Sequence, residues 1–99
     1  MINQLHKTEK FAHWMDNLRD IRARARIQVR LDRLARGNAG DHKSVGGGVV
    51  ELRIDYGAGY RVYYTFRGQA IIFLLIGGDK STQQADIDMA QQLAKQLEN

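Results

Sequence analysis

Three runs of strand-forming residues, 49–54, 60–66 and 70–76, are joined by connections too short to hold a crossover helix. "DYGAG" links the first two and "RGQ" the second pair, so each run pairs antiparallel with the next in a meander. The third run, "AIIFLLI", is apolar at every position and calls for cover on both faces.

Alternation along the first hairpin puts Val50, Leu52 and Ile54 on one face, and Val49, Glu51, Arg53 and Asp55 on the other. In the second strand the apolar set is Tyr60, Val62, Tyr64 and Phe66. A turn centred on Gly57 sets Arg53 directly opposite Arg61, and Glu51 opposite Tyr63. Like charges facing each other across a ladder cost about 0.2–1 kcal/mol. Two offsets are open: neutralisation by Glu51 or Asp55, or a bound phosphate matching the planar fork of arginine.

Upstream, "INQLHK" alternates as an edge strand and Thr8 is a suitable N-cap. Phe11, Trp14, Met15, Leu18 and Ile21 share one helical face, giving a helix from 9 to about 20 in which Trp14 is a core residue. Ala23, Ile27, Leu31 and Leu34 mark a second helix, stopped by Gly37 and Asn38, and the short break near Asp20 suggests an antiparallel helical hairpin. Residues 37–48 carry five glycines and read as a loop. After the third strand, two glycines lead into a last helix beginning near Ser81 or Thr82, with Ile87, Ala90, Ala94 and Leu97 on its apolar side. The expected class is α+β, in the order β-α-α-β-β-β-α: an N-terminal helical hairpin packed on a small antiparallel sheet. Ninety-nine residues suit a single domain, 1–99.

The chain has no cysteine, which excludes disulfides and thiolate zinc sites. No metal-ligand spacing or cofactor motif stands out, and "GGDKST" lacks the pattern of a triphosphate-binding loop. The longest apolar run is too short to span a bilayer and the N-terminus lacks a signal core, so a cytoplasmic protein is expected.

Net charge is +4, and it is unevenly spread. Between Arg19 and Arg36 there are seven arginines and two aspartates, a local excess of five. Arg22, Arg26, Arg30 and Arg33 are therefore candidate RNA contacts, although a solvated helix face accounts for such a run as well. Lys43, just before the hairpin, and Lys80, just after the last strand, lie in segments able to border the arginine-bearing face.

"GDHKSVGGGVVELR", "GYRVYY" and "GGDKSTQ" together resemble the RelE/ParE toxin superfamily, in particular its HigB-like, addiction-module killer branch. The resemblance runs from about Phe11 to Ala90. It implies a RelE-like fold and the toxin of a type II toxin–antitoxin system, neutralised by a cognate antitoxin in a possible hetero-oligomer. Most such relatives are endoribonucleases that cut mRNA on the ribosome, while a smaller branch inhibits DNA gyrase without being an enzyme. By motif, the basic residues of the ribonuclease branch correspond to Arg53, Arg61 and Lys80, with Lys43 a fourth. The chain departs from the pattern early in the last helix, where some relatives carry a catalytic tyrosine and this one has "QQADID".

Cleavage without metal requires a base for the 2′-hydroxyl, charge stabilisation at phosphorus and an acid for the 5′-oxygen. Arginine serves only the second, so Arg53 and Arg61 are the expected charge stabilisers. Lys43, Lys80 and His42 are candidates for the proton transfers. Tyr63 is a candidate proton donor or base-stacking residue, on the arginine face.

Overall fold

The computed structural model describes residues 2–97. The chain is α+β, with strands β1 (Gln4–Lys7), β2 (His42–Gly46), β3 (Val49–Ile54), β4 (Tyr60–Arg67) and β5 (Ile71–Gly78). Its helices are α1 (Glu9–Asp16), α2 (Ile21–Ala35) and α3 (Gln83–Leu97), the last preceded by a 3₁₀ turn, Lys80–Thr82. The sheet order is β1-β5-β4-β3-β2.

Two expectations about strand pairing are corrected. The segment read as a loop contains β2, which pairs antiparallel with β3 at His42↔Leu52, Lys43↔Glu51 and Ser44↔Val50. An edge strand needs backbone pairing on one side only, so polar residues and glycines suffice there. Gly46, Gly47 and Gly48 all have positive φ, which lets the chain reverse within this tight connection. The sheet is also mixed, because β1 runs parallel to β5 with Leu5 opposite Ile72. Residues so distant in sequence carry no local signal of strand direction.

The first helix is shorter than its apolar spacing suggests. Thr8 caps it, accepting from Phe11 N at 3.0 Å and donating to Leu75 O at 2.6 Å, but it stops at Asp16. Asp20 then caps α2 by accepting from the N–H groups of Arg22 and Ala23. Ile21 thus opens α2 and is 78% exposed, outside the buried stripe of α1.

Helices α1 and α2 cover one face of the sheet, against β5 and β3 respectively, and α3 covers the other. Phe11, Ile27, Leu31, Leu52, Val62, Tyr64, Ile72 and Leu74 form the core of the first side, with Trp14 packed against it. Val49, Tyr63, Leu75, Ala90 and Ala94 form the smaller core beneath α3. β5 is covered on both faces, as its uniform apolarity requires. Its two glycines belong to the strand rather than to the exit from it. A side chain at Gly77 would overlap the Trp14 ring, and one at Gly78 would overlap the Asp86 carboxylate, so these positions let α1 and α3 approach from opposite sides.

Candidate functional site

β3 and β4 pair with Arg53 opposite Arg61 and Glu51 opposite Tyr63, the register expected from the hairpin. Between the two arginines lies the Glu51 carboxylate, fully buried. Arg53 Nε donates to Glu51 Oε1 at 2.9 Å, while Arg61 Nε stands 3.6 Å from Oε2. That second distance is an ion pair but too long for a hydrogen bond, and Arg61 Nε has no hydrogen-bond partner among the described residues. Tyr63 OH and Gln83 Nε2 donate to Oε2 at 3.0 and 2.9 Å. Burial by itself would raise the Glu51 pKa. The hydrogen bonds from Arg53, Gln83 and Tyr63 and the charge of Arg61 outweigh it, and the carboxyl titrates below its ordinary value. Of the two offsets open in the sequence, neutralisation by Glu51 is therefore realised, though one negative charge meets two positive ones.

The arginines border a hollow of about 350 Å³ at the end of the hairpin, lined also by Lys80, Tyr60, Gly59, Asp41 and Asp55. Local geometry explains the convergence. Lys80 N donates to Ala58 O at 3.3 Å, tying the 3₁₀ turn to the β3–β4 connection. Asp79 caps that turn by accepting from Ser81 N. Gly59, at φ 77°, leaves room between Arg61 and Lys80, and its carbonyl accepts from Arg61 Nη1 at 2.6 Å. Arg53 side-chain exposure is 35% and that of Arg61 only 13%, so the second guanidinium forms the inner wall.

The other sequence candidates are distributed differently. Lys43 is exposed on β2 directly across from Glu51, on the arginine face but outside the hollow. His42 pairs with Leu52 and borders a separate hollow with Leu34, Val50, Tyr64 and Phe66, on the face that α2 covers. Tyr63 is buried beneath α3, its hydroxyl engaged by Glu51, and desolvation pushes its pKa upward. It is a support of the site rather than a surface for stacking.

On α2, Arg22, Arg26 and Arg33 are exposed around a cleft of about 590 Å³. Arg26 lies over the Tyr56 ring at 4.6 Å. Arg30 turns inward instead, donating to the carbonyls of Arg53, Ala39 and Asp41. It clamps α2 onto β3 beside the site, so its donors serve the fold.

Sequence patterning missed Gln83, Asp41 and Tyr60 as neighbours of the arginines. Gln83 opens α3, and no period in the sequence announces that its amide reaches Glu51. Tyr60 belongs to the apolar alternation of β4 yet ends at the rim, with burial and the charges of Asp20 and Asp79 raising its pKa.

Residues 13–96, which include β2 to β5 and every residue lining this hollow, match the family described as Phage derived protein Gp49-like (DUF891). The chain belongs to that family. At this coarse level the Gp49-like match agrees with the toxin-like, RelE/HigB-type resemblance of the sequence, and such a family implies an antitoxin partner in general. The chain is also similar to an uncharacterized protein of Haemophilus influenzae, 48% identical over 97 residues and covering 98% of each chain. Among the described residues, no helix is long and apolar enough to cross a membrane, and no three of His, Cys, Asp and Glu gather as a metal site.

Proposed function

We propose that this Gp49-like protein is the toxin of a type II toxin–antitoxin system of the HigB-like branch, with a RelE-like fold, and that it cleaves mRNA on translating ribosomes. The observation that carries the proposal is the opposed pair Arg53 and Arg61, joined by Lys80 in one hollow. Glu51 offsets one of these three positive charges, with Asp41 and Asp55 on the rim of the same hollow, and the terminal nitrogens of Arg53 have no protein acceptor among the described residues. A scissile phosphate is the ligand whose oxygens suit that arrangement.

In the cleavage step the 2′-oxygen gives up its proton and attacks phosphorus, the P–O5′ bond breaks, and the leaving oxygen takes a proton. The products are a 2′,3′-cyclic phosphate and a 5′-hydroxyl, with no metal required. Arg53 and Arg61 stabilise the charge that grows on the phosphorane. Lys80 is the amine within reach of the same phosphate, Asp41 and Asp55 are carboxylate proton acceptors on the rim, and Tyr60 is a proton donor whose raised pKa keeps its hydroxyl protonated. Lys43 extends the basic face along the RNA. Arg22, Arg26 and Arg33 are assigned to phosphates of ribosomal RNA, contacts whose affinity falls steeply with salt.

The test is a cell-free translation reaction with purified protein, mapping mRNA 5′ ends by primer extension. Discrete cuts are expected with the wild type. In Arg53→Ala and Arg61→Ala they should weaken on the order of 100-fold while the proteins stay folded. Intact mRNA would overturn the proposal, and double-strand DNA breaks in the presence of gyrase would replace it with the inhibitor reading.

A further inference from the structure

Glu51 touches both opposed arginines, yet its complete burial keeps it from any RNA atom. We infer that Glu51 is a positioning residue, which aims the guanidinium groups of Arg53 and Arg61 at a single phosphate. The inference deepens the ribonuclease proposal and rests on it for the reaction, but the aiming itself concerns phosphate binding.

The geometry runs through the inner edge of each arginine. Glu51 faces Arg53 Nε with one oxygen and Arg61 Nε with the other, at 2.9 and 3.6 Å. Arg53 is held by a hydrogen bond and Arg61 by charge, with Arg61 Nη1 donating to Gly59 O, and both side chains border the hollow with Lys80. The carboxylate is itself held, since Tyr63 of β4 and Gln83 of α3 both donate to Oε2. β4 and α3 thus fix one acceptor, which holds Arg53 by a hydrogen bond and Arg61 by its charge.

A carboxylate suits this place for reasons of chemistry. Arg53 Nε, Tyr63 OH and Gln83 Nε2 donate to it while Arg61 Nε stands 3.6 Å away as an ion-pair partner, and an amide would offer one acceptor oxygen and turn an N–H toward a donor. An aspartate is one methylene shorter and would draw back from the arginines. The single negative charge of Glu51 relieves repulsion within the arginine pair without cancelling both charges.

The experiment compares the full-length wild type with Glu51→Gln, using inorganic phosphate as probe and following the arginine Nε–H signals by NMR. The ribosome-dependent cleavage assay is run on the same samples. Phosphate affinity is expected to fall at least tenfold in Glu51→Gln, and kcat about 100-fold with a smaller change in KM, because a displacement of roughly an ångström at a reacting centre has that effect. Phe11→Leu, in the core on the other face of the sheet, lowers stability without touching Glu51 or either arginine, and should keep near wild-type phosphate affinity. If Glu51→Gln does not fold, Glu51→Asp takes its place, with the same loss of affinity expected at smaller size. Wild-type affinity and cleavage in the Glu51 variant would overturn the inference, as would equal losses in Phe11→Leu. Phosphate binding that weakens in the Glu51 variant of a protein that cuts no RNA would uphold the positioning role and sink the ribonuclease proposal alone.

Discussion

Tyr63 and Glu51 face each other across β4 and β3, and the phenol donates to the carboxylate at 3.0 Å with both side chains fully buried. A hydrogen bond to a buried charge contributes more than a neutral one. Tyr63→Phe should therefore lower unfolding free energy by about 1.5–3 kcal/mol, measured by urea denaturation. A loss below about 0.5 kcal/mol would mean that Arg53 and Gln83 satisfy the carboxylate unaided.

The same carboxylate gives the fold a sign-defined response to acid. Its folded pKa lies below the ordinary value of 4.5, so the unfolded chain takes up its proton first as pH falls. The stability contributed by its charge is complete above the unfolded value and is lost as pH drops through the folded one. The stability gap between wild type and Glu51→Gln should be constant from about pH 6 to 8 and narrow below about pH 4.5. A gap that stayed fixed down to about pH 3 would show that the charge is not what matters.

His42 and Lys80 are expected to separate cleanly. Lys80 shares the hollow with both arginines, whereas His42 lies on the opposite face. In the cleavage assay Lys80→Ala should lose activity on the order of 100-fold, the usual loss for one charge-stabilising donor. His42→Ala should cleave as the wild type does and change stability by no more than about 0.5 kcal/mol. The reverse order of effects would move the reacting centre to the other face of the sheet.

Gly77 is the contact point of β5 with α1. Because an added Cβ would overlap the Trp14 ring, Gly77→Ala should destabilise by about 1–3 kcal/mol through displacement of α1. Gly68→Ala is the useful contrast, since nothing lies within 4 Å of its Cβ position. It probes only the strain of a positive φ, 68°. A thermal melt of both variants checks the comparison; equal losses would rule out the steric account.

The α+β class, the meander of β3 to β5, the Thr8 cap and the pairing of Arg53 with Arg61 were legible in the sequence, because alternation, helical spacing and turn length act over a few residues. Strand β2 was not, since an edge strand is held by hydrogen bonds to β3 rather than by an apolar pattern of its own. Nor was the parallel pairing of β1 with β5, which joins residues more than sixty positions apart. The arginine pair followed from residue identity and register. What only the tertiary structure decided is what surrounds that pair: Gln83 from α3 joins it on Glu51, Lys80 is tied to Ala58 beside it, and His42 is left on the far face. Those relationships depend on how elements pack and which polar groups burial forces into contact, a constraint that acts in three dimensions and leaves no period along the chain.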